Sequence, residues 1–496
     1  MLWLRNYNMA KLDWKQSAFS GGFSNDKFAG IKNSFRYAKG MEIRKNPNSI
    51  TLANKPEAET IALTNKVRAM VTIQSTGDII AFCADGKIWR NAKGFSAWVN
   101  CYTDSGTASI VNAIEYNAYL YWFTAANVHR IAIADIDSNW NGDVTEDYKA
   151  FANSDINAHP ALEFANKLYI GDGKNLAELD SVGTFTTDKL AIFGDEVIRS
   201  LTADGTWIKI YSRRTANIDF GQKYFWNGTS LSWQERKPIR QLIHCAIEAD
   251  DGDYVVAGQK PYIYLSKGLT FAKLKRFPLV TGTQQISISP NGLDYTPDEV
   301  LAIGVAESGT ADIGRGVWTF GREDNNFPMS LNFDYPTSND TTTDIIDCVH
   351  LSDGVLYFAW HKANNTYGID KVNQAKFATT GSIHSRVFYA DKASAEKEVE
   401  NMSVAFDQLA AGEKIEVFLR KDLATTWPAT AELTVDYSVV ADRAIFHKEQ
   451  STALAIGNFN YLETKVVLTA GTSQGTTPEV TELSTVIESD LELSDK

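Results

Sequence analysis

The sequence predicts an all-β chain: a β-propeller of about seven blades, with an extended N-terminal arm before it and a β-sandwich after it. Three observations lead there. Between about residue 66 and residue 380, apolar runs such as Gly77-Asp78-Ile79-Ile80-Ala81-Phe82 and Tyr119-Leu120-Tyr121-Trp122-Phe123 recur beside tight polar turns, with a period of roughly 40 residues. Three repeats close alike, with an aromatic strand, then Gly-x-Ser/Thr, then an aromatic: Gly94, Ser96 and Trp98; Gly228, Ser230 and Trp233; Gly268, Thr270 and Phe271. The third observation is compositional: 20 Tyr, 25 Phe and 12 Trp favour strands, where flat rings pack on a pleated surface.

The arm, residues 1–64, does not fit the repeat. Gly and polar residues alternate with single aromatics, as in Phe19-Ser20-Gly21-Gly22-Phe23, so few strands are expected. Its aromatics, Trp3, Trp14, Phe19, Phe23, Phe28 and Phe35, have no repeat partner and must dock elsewhere, in the propeller or in a neighbouring subunit.

The propeller spans 65–380. Seven blades are expected to start near Val67, Ser109, Ala158, Glu196, Arg240, Glu299 and Thr343. Their heads carry Gly, Asn and Asp, which tolerate the positive φ of tight hairpins, as at Tyr116-Asn117-Ala118 and Ser352-Asp353-Gly354. The segment 278–297, with Pro278, Pro290 and Pro297, reads as an inter-blade connection or a small inserted hairpin. Over 381–496 longer strands take over. Ile415, Val417 and Leu419 alternate with Glu416, Phe418 and Arg420, a half-buried strand of a β-sandwich with an acidic tail.

A formal net charge of −13 argues against a surface that grips nucleic acid by neutralising phosphates. No run reaches about 18 apolar residues, so no membrane-inserted helix is expected. The start of the chain lacks the apolar core of a secretory signal. Cys83, Cys101, Cys245 and Cys348 form no CxxC pair and read as buried free thiols.

Catalytic patterns are missing: no GxSxG, P-loop or HExxH occurs, and the chain is expected not to be an enzyme. The closings resemble the Asp-box of sialidase-like propellers but lack its Asp, so they read as folding devices at the blade edge. Arg199, Arg213 and Arg214 have no spacing that ties them to a site, and Asp250-Asp251-Gly252-Asp253 reads as a solvated turn. No cofactor is expected, with one candidate for Ca²⁺. From Asp137 the chain follows D-x-[DN]-x-[DN]-G, offering oxygens of Asp137, Asn139, Asn141, Asp143 and Thr145. Tyr148 stands where a bidentate Glu belongs, so Glu146 or Asp147 would have to bend in.

Two further runs carry a resemblance. The arm reads Gly21-Gly22-Phe23, then Asn33-Ser34-Phe35-Arg36-Tyr37-Ala38-Lys39-Gly40-Met41-Glu42-Ile43-Arg44 and Pro47. The C-terminal module reads Gly412-Glu413-Lys414-Ile415-Glu416-Val417-Phe418-Leu419-Arg420-Lys421-Asp422, then Trp427, and closes on Thr477-Pro478-Glu479-Val480. In this order around a propeller, they resemble tail nozzle and tail-tip proteins of tailed bacteriophages. The resemblance implies a non-enzymatic virion protein, made in the host cytoplasm and built into the tail. It would form a homo-oligomeric ring with other tail proteins as partners. The alternative is a carbohydrate-binding or carbohydrate-cleaving propeller on a phage tail or cell surface.

Overall fold

A computed structural model describes residues 10–19, 21–24, 33–46, 48–94, 97–104, 109–153, 158–215, 219–277, 286–296, 300–307, 315–322, 329–339, 344–389, 397–438, 443–447 and 458–489. The chain forms two compact units, one of 56–318 with 336–372, the other of 1–55 with 319–335 and 373–496. The fold is all-β; among the described residues the one helical element is a single 3₁₀ turn, Ile133–Asp135.

Among the described residues, seven antiparallel sheets follow one another along the propeller. They begin at the strands Val67–Thr72, Ile110–Tyr116, Ala161–Phe164, Glu196–Asp204 and Ile243–Ala249, then Leu301–Glu307 and Ile345–Ser352. The expected seven starts match this series. The first strands neighbour one another around the ring, with Leu293–Tyr295 standing between those of blades five and six, and Ile345–Ser352 returns to Val67–Thr72, so the ring closes. The seventh sheet takes its fourth strand from Asn54–Ala58, ahead of the first repeat. Closure removes the exposed sheet edges that would otherwise pair with other chains.

Local sequence sets the hairpins. At two blade heads, Asn117-Ala118 and Ala165-Asn166, both central residues have positive φ, at 48° and 62° and at 49° and 57°. That is the type I′ geometry whose twist matches the strands it joins.

The core lies between blades. Second strands such as Ile79–Cys83 are buried throughout, because one face meets the preceding blade and the other the following one. Ile80, Phe82, Trp122 and Trp140 fill the gap between blades one and two. Trp89, Trp98, Tyr357 and Ile369 join blade seven to blade one. Each such side chain contributes roughly 1.5–3 kcal/mol by leaving water.

Among the described residues the other unit contains two large sheets and a small two-stranded one, Met41–Glu42 with Thr51–Leu52. One large sheet runs Ala10–Gln16, Val480–Ser489, Lys397–Phe406, Arg443–His447, and the other Tyr37–Lys39, Thr380–His384, Leu462–Thr469, Lys414–Lys421, Leu433–Asp436. The arm supplies an edge strand to each large sheet. Residues 1–55 are therefore not a separate domain, a correction to the expected division at 64. The physical reason is that Val480–Ser489 and Thr380–His384 would otherwise each lack a partner on one side. The lone aromatics Phe19, Phe23 and Phe35 are buried within this same unit, with Phe23 bridged to Phe35. Trp14 is half-buried, while Trp3 and Phe28 lie outside the described residues. No described helix is long and apolar enough to cross a membrane.

Candidate functional site

The centre of the propeller is built from a repeated irregularity. In blade one the pairing slips between Val67 and Ala69, so Arg68 is an extra residue in the strand. The same slip falls between Ile110 and Asn112, Ile198 and Ser200, Ile243 and Cys245, and Ile346 and Cys348. The residues left over are Val111, Arg199, His244 and Asp347. A bulge redirects a side chain out of the regular alternation, which is why bulges cluster at sites. Here four of the five bulged positions carry a charged or polar residue, Arg68, Arg199, His244 and Asp347, near the start of their inner strands.

A segment of 286–296 fills part of the channel. Leu293–Tyr295 pairs with the inner strand Leu301–Glu307, on its free side. The Asn291 carbonyl accepts from Val349 N at 2.9 Å, and the Ser289 hydroxyl donates to Ile346 O at 3.1 Å. The Asn291 amide nitrogen donates to Arg68 O at 2.8 Å and to Asn112 Oδ1 at 3.2 Å. The expected inter-blade insertion is thus a plug that bonds to blades one, two and seven.

Beside the plug lies a cavity of about 240 Å³, lined among others by Asn112, His159, Arg199, Ser200, Asp294 and His350. Met70 and His350 also line a wider hollow of about 710 Å³ towards the heads of blades one, two and seven. Burial and then the neighbouring Arg213 push the Arg199 guanidinium down to about 9, with Arg68 adding to the effect. At neutral pH Arg199 still carries its charge. Burial holds His244 down at about 4, and its Nε2 donates to Gly258 O at 2.8 Å, so the ring is neutral. Asp294 is raised by burial to about 6 and accepts from Leu351 N at 2.6 Å and Tyr295 N at 2.7 Å. The spacing of Arg199 and Arg213 gave no hint of this site. The signal in the sequence is the recurring Val/Ile-x-small triplet that opens five inner strands.

The predicted blade-edge residues sit at connections between third and fourth strands, except Thr270 and Phe271, which open a fourth strand. Trp98 is buried, 6% exposed, and its indole donates to Glu59 Oε2 at 3.1 Å. Trp233 is half-buried against Tyr224, with ring centroids 5.4 Å apart. Gly94, Gly228 and Gly268 all have positive φ, at 83°, 78° and 49°. Asn227 Oδ1 accepts from Thr229 N and Ser230 N at 3.0 and 2.9 Å, and Ser230 O accepts from the Trp226 indole at 2.8 Å. Thr270 donates to Lys267 O at 2.7 Å, and Phe271 is half-buried against Tyr264. Ser96 lies outside the described residues.

The loop from Asp137 caps itself. Asp137 Oδ1 accepts from Asn139 N at 2.6 Å, Asn139 Oδ1 from Asn141 N at 3.3 Å, and Asp137 O from the buried Trp140 indole at 3.1 Å. Asn141 and Asp143 are exposed, and Thr145 and Asp147 already belong to the strand Thr145–Ala150. The acids that would close a Ca²⁺ shell are drawn away, Glu146 by the Tyr102 hydroxyl and Asp147 by Asn127. Among the described residues no group of three His, Cys, Asp or Glu gathers as metal ligands. All four cysteines are free and buried, and burial pushes the Cys101 thiol up to about 12.

One turn departs from its expected solvated state. Asp250 and Asp251 are exposed, but Asp253 is fully buried between blades four and five. It accepts from Lys209 and Lys223 at 2.7 and 3.1 Å and from the Tyr211 hydroxyl at 2.5 Å. A buried carboxylate needs such partners, because desolvation alone would be prohibitive.

No family model matches the chain, and no curated protein matches it. Solved structures match at the level of fold. A computationally designed protein, Ika8, is 9% identical with a TM-score of 0.40, covering 64% of this chain and 99% of its own. The Cps50 (Swd1) β-propeller domain of Myceliophteria thermophila is 7% identical with a TM-score of 0.44, covering 63% and 99%. Raptor of Chaetomium thermophilum is 12% identical with a TM-score of 0.46, covering 65% of this chain but 30% of Raptor. At these scores the likenesses carry no argument about function. The class defined by the sheets themselves is a seven-bladed β-propeller with an accompanying two-sheet unit.

Proposed function

We propose that the chain is a non-enzymatic structural protein of a tailed-phage virion, a propeller subunit of the tail, nozzle or tail tip that assembles as a ring. The observation that supports assembly lies in the two-sheet unit. Arg443–His447 and Leu433–Asp436 each pair on one side only among the described residues, and each ends its sheet. Ile445 is 50% exposed on the first edge, and Tyr437, just beyond the second, is 57% exposed. An open edge strand carrying an exposed apolar side chain is a template for pairing with another chain. The arm supports the same reading, because Ala10–Gln16 and Tyr37–Lys39 join these sheets by the same edge pairing, at the opposite end of each. The sequence resemblance supplies the setting in the virion.

The test is light scattering on the purified chain and on Ile445→Lys, together with mass spectrometry of purified phage particles. The reading expects a closed oligomer for the wild type, a folded monomer for the variant, and the chain in stoichiometric amount in particles. A wild type that stays monomeric and is missing from particles would refute it.

A further inference from the structure

We propose that the propeller channel binds a small oxyanion, a phosphate or carboxylate group, on the guanidinium of Arg199 with Arg213 beside it. Arg199 lines the channel cavity, and its Nε is buried with no hydrogen-bond partner. Among the described residues its charge is felt by Arg213 and Arg68, both of the same sign, and by the buried Cys245, but by no carboxylate. Arg213 likewise has no acidic group acting on it.

The nearby acids are committed elsewhere. Asp294 turns its oxygens to the backbone nitrogens of Tyr295 and Leu351. Asp347 accepts from His361 Nδ1 at 2.6 Å and acts on Lys66 and Arg68. The Glu196 carboxylate, on the same strand as Arg199, takes Ser212, Gln222 and Tyr224.

Arg199 is half-buried with its Nε closed off from water; a cation drawn partly out of water without a counter-charge is costly, and a bound anion offsets that cost. The guanidinium fork matches the two oxygens of a carboxylate or phosphate. Ser200 also lines the cavity. Its hydroxyl accepts from Ala246 N at 2.9 Å and keeps its proton to donate. At about 240 Å³ the space admits a small oxyanion with some water but not a large ligand. Met70 and His350 border both this cavity and the wider hollow, which marks the way in.

Thermal unfolding and calorimetry in chloride buffer, at matched ionic strength, would test the site with inorganic phosphate and succinate as separate probes. The wild type should bind one of them saturably and gain thermal stability as it does. Arg199→Gln should weaken that binding by about tenfold or more. Without either anion, Arg199→Gln should be at least as stable as the wild type, because it removes a half-buried charge that has no acidic partner. Lys267→Gln, at an exposed residue paired with Asp251, should respond like the wild type. A response to phosphate alone identifies a phosphate site, and a response to succinate alone a carboxylate site. No saturable response, an equal response in Arg199→Gln, or an anion-free Arg199→Gln that is less stable would each overturn the proposal.

Discussion

The Asn291 side-chain amide donates to the Arg68 backbone carbonyl at 2.8 Å, tying the channel plug to the bulged residue of blade one. The two residues are 223 positions apart in the chain. The same amide reaches Asn112 of blade two, so one side chain bonds to two blades.

Replacing Asn291 by Ala should therefore lower global stability by about 1–3 kcal/mol, the cost of leaving buried partners unsatisfied. Urea unfolding would measure it. A loss below about 0.5 kcal/mol would mean that the plug is held by its backbone contacts alone.

Two blade-edge tryptophans should differ in cost. Trp98→Ala removes a ring that is 6% exposed and should lose about 3–5 kcal/mol. Trp233 is half-buried and packs at the edge of its cluster, so Trp233→Ala should lose clearly less. Paired denaturation curves would decide, and equal losses would contradict the burial argument.

Acid should destabilise the propeller through His244. Burial lowers its folded pKa to about 4 from an ordinary value near 6.5. Between those values the unfolded chain binds the proton and the folded chain does not. Stability from this group is therefore present above about pH 6.5 and lost as pH falls towards about 4, by up to about 3 kcal/mol. His244→Gln keeps a donor for Gly258 O and should flatten that part of the stability-against-pH curve. An unchanged curve would show that His244 is not the group responsible.

Deleting residues 1–40 should damage folding as well as assembly. It removes the strand Ala10–Gln16, paired along its length with residues of Val480–Ser489, and the buried Phe19, Phe23 and Phe35. Circular dichroism and limited proteolysis should show early loss of 373–496 and slower cleavage of 56–318. A truncated chain that melts like the full-length one would mean the arm is dispensable to that unit.

The repeat was readable because its causes are local. A hairpin such as Tyr116-Asn117-Ala118-Tyr119 needs two residues that accept positive φ between apolar runs, and these stand next to one another in sequence. The blade starts at Val67 and Glu196 fall at the expected residues for the same reason. Strands such as Lys414–Lys421 were visible from their period-two alternation.

What joins distant segments was not readable. Pairing of Ala10–Gln16 with Val480–Ser489 depends on edges that only the folded sheets create. Arg199 and Arg213 come together because a bulge turns one residue of blade four out of register, and nothing in their spacing encodes that. Asp253 is written like a surface turn residue but is buried, because a neighbouring blade brings Lys209 and Tyr211 over it. Strands, turns and a count of about seven blades are legible in the sequence, since these follow from short-range sterics and side-chain periodicity. Tertiary structure alone decided the plug, the channel cavity and the two open edges, since each arises only when backbone groups far apart in the chain satisfy one another.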